Sequence, residues 1–481
     1  MIKKILFCFI ILTFTTLLIA ADSYPGFDFE HESHEFQVLV NGKKMPVAHV
    51  KAFAFSSFDL QGESEIEIRS AHDIRWVDIR PKNEKIQFEY TNHKIKFTLD
   101  QPVKLSIELN GESTYPLYLF ANQPKDYERD ENTIVFSAGK VHQPGKIELQ
   151  SNQTVIVEKG AVVKGYIEAK NAENIKILGQ GIMDGSEFSK DNRLHKHRII
   201  QLEHCKNVVI DGLIIVNSAT WTIEPMFCQN VTIRDIKMLN WRFGSDGIDM
   251  VGCKKIKIDN SFIRANDDCV VIKTWGGKEK YPKEHIKGPN VSDIEVVNSV
   301  FWNMSWGNAL EIGFELRADL IQDVLFQNCD IIHVTRGAAM SIHNGDYATI
   351  KDITYRNIRI ENARHKLIDL AIFLSQYSVD RPKSEKVREK NYLHGAWDGV
   401  QKVAPEDKAK YSQYRGHIKN ITFENISILD GPVPFSVFAG FDKEHLVENV
   451  TIKNFRYYSQ KANSLKEAKI DTSFAEEIII K

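Results

Sequence analysis

The sequence predicts an all-β protein in which a small antiparallel β-sandwich precedes a parallel β-helix, and three observations carry that prediction. Between Glu32 and Asn122, short runs alternate apolar and polar residues. Beyond a polar junction at about Asn122 to Asn132, a motif of the form Asn-Ile/Val-x-Ile recurs nine times. The recurring units are short and rich in Ile, Val, Thr and Phe, without the 3.6-residue apolar period that a helical repeat would show.

The N-terminus stands apart from both regions. Lys3-Lys4 is followed by a mostly apolar run from Ile5 to Leu18 and a small-residue exit at Ile19-Ala20-Ala21, the pattern of a secretory signal peptide over residues 1–21. The run is too short for a membrane span, and Cys8 lies inside it, where lipoprotein cleavage would leave almost no hydrophobic segment. A secreted or periplasmic chain without a membrane span is expected. The formal net charge of −2 over 481 residues implies neither a nucleic-acid partner nor an anionic membrane surface.

Residues 22–125 are assigned to the sandwich. Phe36-Gln37-Val38-Leu39-Val40, Glu65-Ile66-Glu67-Ile68, Ile95-Lys96-Phe97-Thr98-Leu99 and Leu105-Ser106-Ile107-Glu108-Leu109 read as half-buried strands. Asn41-Gly42 and Asn110-Gly111 are the turn pairs that hairpins favour.

Residues 126–481 are assigned to the β-helix. The motif begins at Asn174, Asn207, Asn230, Lys255, Asp293, Asp323, Asp352, Asn420 and Asn449, with successive spacings of 33, 23, 25, 38, 30, 29, 68 and 29 residues. A short coil thus repeats with loops inserted into some copies, and such loops project from coil corners and flank grooves. Two insertions stand out, Gly276 to Pro289 and Ser378 to His417, the second carrying Tyr392, His394, Trp397, Tyr411 and Tyr414. The longer one is either a solvated excursion or a cover for substrate. Five cysteines remain after loss of Cys8, an odd number that argues against a complete disulfide framework. Cys205, Cys228 and Cys253 recur at intervals of 23 and 25 and are expected to stack as small buried residues.

The chemistry concentrates in Gly244-Ser245-Asp246-Gly247-Ile248-Asp249 and Ala265-Asn266-Asp267-Asp268-Cys269-Val270. Carboxylates in apolar, β-prone sequence need a reason. Asp246 precedes Asp267 and Asp268 by 21 and 22 residues, close to the shortest coil interval, so the three should stack on neighbouring coils. Two carboxyl groups flanking a glycosidic oxygen can cleave it, one protonating the leaving oxygen and the other activating water or attacking carbon. Like charges this close raise at least one pKa, as a general acid requires.

These motifs carry a resemblance. Asn217-Ser218-Ala219-Thr220-Trp221-Thr222-Ile223, Ser245-Asp246-Gly247-Ile248-Asp249 and Asn266-Asp267-Asp268-Cys269 are similar, in order and spacing, to segments of the polygalacturonase-like glycoside hydrolases of family 28, related to the dextranases and isopullulanases of family 49. The resemblance covers Asn217 to Lys273 well and extends more weakly to about residue 460. It implies a right-handed parallel β-helix and metal-independent, cofactor-free hydrolysis of an α-linked polysaccharide or oligosaccharide with inversion. Asp267 would be the general acid, with Asp246 and Asp268 activating water.

The resemblance also has departures. Gly307-Asn308-Ala309-Leu310-Glu311-Ile312-Gly313 places Asn308 where the family has histidine. Ala338-Ala339-Met340-Ser341-Ile342-His343 places Ser341 and His343 where the family has an Arg/Lys pair that holds a galacturonate carboxylate, which loosens the tie to galacturonan. Lys273, Arg317 and Arg336 are candidates to replace that charge. Asp249, Lys273, Trp275, Trp306, Asn308, Glu311, Glu315, Arg336 and His343 are expected to contact substrate, the tryptophans by stacking and the carboxylates by accepting sugar hydroxyls. The residues also admit two other readings. A polysaccharide lyase on the same fold would hold calcium with its acids, and a non-catalytic solenoid would only bind glycan.

Overall fold

The computed structural model describes residues 33–111, 113–188, 197–277, 286–381 and 407–481. The expected signal peptide lies outside these residues, as do positions 278–285 of the shorter insertion and Tyr392, His394 and Trp397 of the longer one.

Alternation builds the N-terminal layer pair. Phe36–Val40 and Lys94–Leu99 bury alternate side chains, with Val38 and Ile95 fully enclosed between two five-stranded sheets. Asn41 and Gly42 have φ of 49° and 78°, and Asn110 and Gly111 have 58° and 75°, so both turn pairs take the positive φ that a tight hairpin requires. Leu117–Asn122 lies parallel to Phe53–Asp59, while the other described sandwich pairings are antiparallel. The chain reaches that neighbour through the long 60–116 connection rather than through a hairpin.

From Thr133–Phe136 to Ala475–Ile480, 29 strands among the described residues form one sheet wound into coils, paired in parallel from coil to coil except at the small hairpin Gln460–Lys461. The second residue of every motif falls in one column. Ile175, Val208, Val231, Ile256, Ile294, Val324, Ile353, Ile421 and Val450 are consecutive register partners inside the core.

The first residue of every motif explains the asparagines. All nine adopt φ between 52° and 60°, a left-handed conformation that Asn and Asp tolerate best among residues with a Cβ. The asparagine side chains add a ladder along the outside, Asn207 Nδ2 donating to Asn174 Oδ1 at 3.0 Å and Asn230 Nδ2 to Asn207 Oδ1 at 2.7 Å. Cys205, Cys228 and Cys253 stack in the interior as buried free thiols, as do Cys269 and Cys329.

One sandwich sheet lies against the solenoid. Phe53, Phe55, Tyr118 and Phe120 pack on Val162, Ile182, Ile214, Leu239, Phe262 and Trp302, which are successive steps of one face of the coils. The buried Arg264 guanidinium stacks over Phe53 at 5.0 Å and donates to the Asn240 carbonyl at 2.6 Å. Polar contacts tie the far end, Arg80 Nη1 reaching Glu361 at 2.5 Å and His333 Nε2 reaching Glu108 at 3.0 Å.

The motif geometry has a measurable consequence. Asn230→Ala is expected to destabilise the protein by about 1–2 kcal/mol, the cost of a left-handed residue with an ordinary side chain. Asn230→Gly, which keeps the backbone freedom and loses only the ladder bond, should cost less. Urea denaturation midpoints of the two variants check this.

Candidate active site

The coil-to-coil register brings the acids together. Asp246 lies in the turn between Lys237–Leu239 and Ile248–Val251, and Asp267 and Asp268 lie in the equivalent turn between Phe262–Ala265 and Val270–Thr274. Those strands are direct partners, Leu239 with Arg264 and Ile248 with Val270. The Gly247 N–H donates to the Asp268 carbonyl at 2.8 Å, and the Asn266 N–H donates to the Ser245 carbonyl at 3.1 Å.

Adjacent residues of an extended strand point to opposite faces. Here the chain leaves the strand at Asn266 and bends, so both Asp267 and Asp268 reach the space beside Asp246. One carboxylate oxygen from each of the three lies within 4.8 Å of the others. Asp246 and Asp268 are 3 % and 5 % exposed, whereas Asp267 is partly open to solvent.

Two glycines permit this approach. A Cβ on Gly247 would stand 2.2 Å from the Cys269 carbonyl oxygen. Gly307 has φ of 60°, and its Cβ would stand 2.5 Å from Asp267 Oδ1 and 2.6 Å from Asp268 Oδ1. The turn around Gly307 then grips the acids. The Asn308 N–H donates to Asp268 Oδ1 at 2.7 Å, and Asn303 Nδ2 donates to the carbonyls of Asp267 at 2.8 Å and Trp306 at 2.7 Å.

The electrostatics follow from burial and crowding. Burial pushes the Asp246 carboxyl well above its ordinary range, and Asp249, Asp267 and Asp268 push the same way against Lys273. Asp268 is raised by burial, then by Asp267 and Glu311, against Lys273 and the Asn308 N–H. Asp249 is pushed up to about 7 by burial and Glu224, with Lys273 and Arg198 opposing. Burial works against the charge on Lys273, yet Glu315, Asp249, Asp246 and Asp268 hold its ammonium well above the usual range. The arrangement can therefore keep a proton on the acids at neutral pH while retaining a carboxylate to accept one. The same three oxygens could also hold a hard divalent cation.

The expected substrate contacts divide into two groups. Trp306 is partly exposed and Arg336 exposed, the Arg336 guanidinium lying 5.6 Å from the Trp306 ring centre. Asp249, Lys273, Trp275, Glu311, Glu315 and His343 are each at most 4 % exposed, and Asn308 is 5 % exposed. Their strand positions turn them toward one another rather than toward solvent. Lys273 Nζ lies 3.8 Å from both Asp249 Oδ1 and Glu315 Oε2 and 4.5 Å from the Trp221 ring centre. Trp275 packs with Trp221, Met226 and Val251, so its faces are covered. Asn308 links Asp268 to the next coil, its Nδ2 donating to Asp268 Oδ1 at 3.5 Å and its Oδ1 accepting from the Ala338 N–H at 2.8 Å. Arg317 is likewise buried, near Asp346.

His343 is the centre of a second buried network. Its Nδ1 is 3.0 Å from Glu311 Oε1 and its Nε2 is 3.1 Å from Asp369 Oδ2, while Ser341 Oγ donates to Glu311 and Lys366 pairs with Asp369. Two carboxylate neighbours outweigh burial and hold the imidazole as imidazolium, with its pKa pushed up to about 10. Phe314 stacks on that ring at 5.0 Å. Asp369 escaped sequence reasoning although Glu311, Ser341 and Asp369 are successive register partners; that column was the available signal. Phe243 was also missed. It is 55 % exposed beside the acid turn and meets the Trp306 ring edge-on at 5.1 Å, extending an aromatic wall.

Residues 123–387 match the family described as Glycosyl hydrolases family 28. A protein of Aspergillus terreus described as a probable exopolygalacturonase B is 25% identical over 214 residues, 40% of this chain and 46% of that protein. A protein of the same description from Aspergillus niger is 22% identical over 320 residues, 61% of this chain and 62% of the other. The chain spans about half the length of the curated relatives it matches. Among solved structures, Dex49A from Penicillium minioluteum has a TM-score of 0.63 at 15% identity, with 94% of both chains covered. A hyperthermoactive exopolygalacturonase from Thermotoga maritima has a TM-score of 0.52 at 16% identity, covering 73% of this chain and 84% of that one. At these identities the likeness is one of fold.

Two predictions arise from the buried groups. A histidine whose folded pKa rises from 6.5 to about 10 binds more protons folded than unfolded across that window. Its stabilisation is fully present below pH 6.5 and is lost as pH rises toward 10, and His343→Gln should flatten that decline in melting temperatures scanned against pH. Gly307→Ala should strain the turn by about 1–3 kcal/mol and push the acids apart. It should therefore lose activity at temperatures where circular dichroism still reports a folded chain.

Proposed function

Because the chain belongs to glycosyl hydrolases family 28, we propose that it is a secreted hydrolase that cleaves α-glycosidic bonds of a polysaccharide or oligosaccharide by single displacement. The observation that carries this reading is the trio Asp246, Asp267 and Asp268, with oxygens within 4.8 Å of one another and Asp267 partly open to solvent. In this reading Asp267, the most exposed of the three, meets a glycosidic oxygen and protonates it as the bond to the anomeric carbon breaks. Asp246 and Asp268 hold the attacking water and take its proton.

The spacing bears on stereochemistry. Carboxyl pairs about 5–5.5 Å apart typically allow direct attack on carbon, while about 6.5–9.5 Å leaves room for water between acid and base. A third carboxylate changes that logic. One water donating two hydrogen bonds of about 2.8 Å at a tetrahedral angle spans acceptors about 4.5 Å apart, so Asp246 and Asp268 can share it without admitting it between acid and base. The elevated pKa directions of Asp246 and Asp268 support a cluster that carries a proton near neutrality. Secretion rests on the Lys3-Lys4 start, the Ile5 to Leu18 run and the Ile19-Ala20-Ala21 exit.

Asp267→Asn should lower kcat by about 10²–10⁴, the usual contribution of a general acid, with KM little changed. Proton NMR of the first product should show the anomeric configuration opposite to that of the substrate. Retention would assign direct attack to Asp246 or Asp268. An unsaturated product absorbing in the ultraviolet, with loss of activity in EDTA, would identify eliminative cleavage instead.

A further inference from the structure

Arg264 is fully buried, and among the described residues it forms no ion pair with a carboxylate. Its guanidinium carbon lies 5.0 Å from the Phe53 ring centre, 6.0 Å from that of Tyr118 and 5.6 Å from that of Trp302. Phe53 and Tyr118 belong to the sandwich, Trp302 to the solenoid. Nη1 donates to the Asn240 carbonyl at 2.6 Å, while Nε and Nη2 find no acceptor among the described residues. Burial pulls its pKa down against Tyr118. A cation enclosed in this way opposes folding, and an apolar side chain of similar volume would serve stability as well or better. Packing alone does not account for an arginine at this position.

Its place in the coils does. Arg264 lies in Phe262–Ala265, just ahead of the Asp267–Asp268 turn, and its register partners are Leu239 on the preceding coil and Trp302 on the next. Each partner is followed by a fully buried asparagine that roots a turn of the site. Asn240 takes the Nη1 bond on its carbonyl, returns its N–H to the Arg264 carbonyl at 2.9 Å, and donates Nδ2 to Thr222 Oγ1 at 2.7 Å. The Thr222 hydroxyl in turn donates to the Asp246 carbonyl at 2.7 Å. On the second turn, Asn266 Nδ2 donates to the Trp241 carbonyl at 3.1 Å, and Asn303 Nδ2 donates to the Asp267 carbonyl at 2.8 Å. We infer that Arg264 is a positioning residue: it carries the docking of the sandwich, through Asn240, to the two acid turns and so fixes the separation of Asp246 from the Asp267–Asp268 pair. A guanidinium suits this because it holds a carbonyl through one N–H while aromatic rings attract its charge. The effect on catalysis rests on the hydrolase reading of the trio; the effect on its geometry does not.

Arg264→Met removes the charge and keeps an unbranched side chain, which separates positioning from packing. The variant should melt at the same or a higher temperature than the unaltered protein. Its kcat on α-linked glycans should nevertheless fall about tenfold to a hundredfold, with KM within about twofold, because small misplacements of reacting groups cost rate more than binding. Phe53→Leu, which leaves Arg264 in place, should lower kcat in the same sense and serves alone should the first variant not fold. The double variant should be no slower than Arg264→Met, since both changes act through one contact. Crystal structures of the unaltered and altered proteins should show the Asp246 carboxyl displaced relative to Asp268. An unchanged kcat, a loss of kcat that disappears once the unfolded fraction is subtracted, additive losses in the double variant, or superimposable acid trios would each overturn the inference. If the unaltered protein releases no reducing ends from α-linked glycans, the hydrolase reading falls, and the displacement of the trio in the crystals decides the role of Arg264 by itself.

Discussion

The vertical register between coils is the constraint on which the site and the core both depend. Parallel strands one coil apart lie about 4.8 Å from each other, so residues separated by one coil length in sequence become direct neighbours in space. The hydrogen bonds from Gly247 to Asp268 and from Cys269 to Asn308 extend that register through the turns, where no strand holds it. A shift of one residue in either turn would carry Asp246 away from the Asp267–Asp268 pair. The same register stacks Ile256 on Val231 and Ile294 on Ile256, so the force that builds the core also assembles the acids.

Burying this many carboxylates opposes folding. The cost of dehydrating each charge exceeds what a single ion pair returns unless geometry and hydrogen bonding are good. The structure answers with partners rather than with exposure. Lys273 lies among Asp249, Glu315 and the trio, and His343 is charged because Glu311 and Asp369 leave both ring nitrogens facing carboxylates. Lys273 also acts on Asp246 and Asp268 of the trio. The solenoid core, continuous from Ile147 to Ile470, and the sandwich docked along one face supply the stability that offsets this local strain.

Much of this is legible in the amino-acid sequence. The repeated motif announced the coils, and its first position was Asn or Asp in eight of nine copies because that position takes a left-handed backbone, with Lys255 the exception. Asp246 and the Asp267–Asp268 pair could be matched by their interval alone. The substrate contacts were less legible. Glu311, Glu315, Lys273 and Trp275 were read as substrate contacts, yet their side chains are buried, Lys273 against Glu315, Glu311 against His343 and Trp275 against Trp221. Which way a side chain points depends on bulges such as the one between Ile272 and Thr274, and no composition or spacing reports a bulge. Phe243 was hidden because a lone exposed aromatic in a turn looks like any surface residue until Trp306 is seen against it.

What the sequence determined by itself was the period: strand length, coil interval, the column of Ile and Val, and the placement of three acids at one phase of that period. These are local properties, set by which residues tolerate a pleated backbone or a left-handed turn. Only the tertiary structure decided the charge state of the pocket and the roles of the residues around it. That depends on which groups face one another across coils, from Glu311 to Asp369 through His343 and from Asp249 to Glu315 through Lys273, and the energy of a charge is set by its neighbours and its burial rather than by its place in the chain.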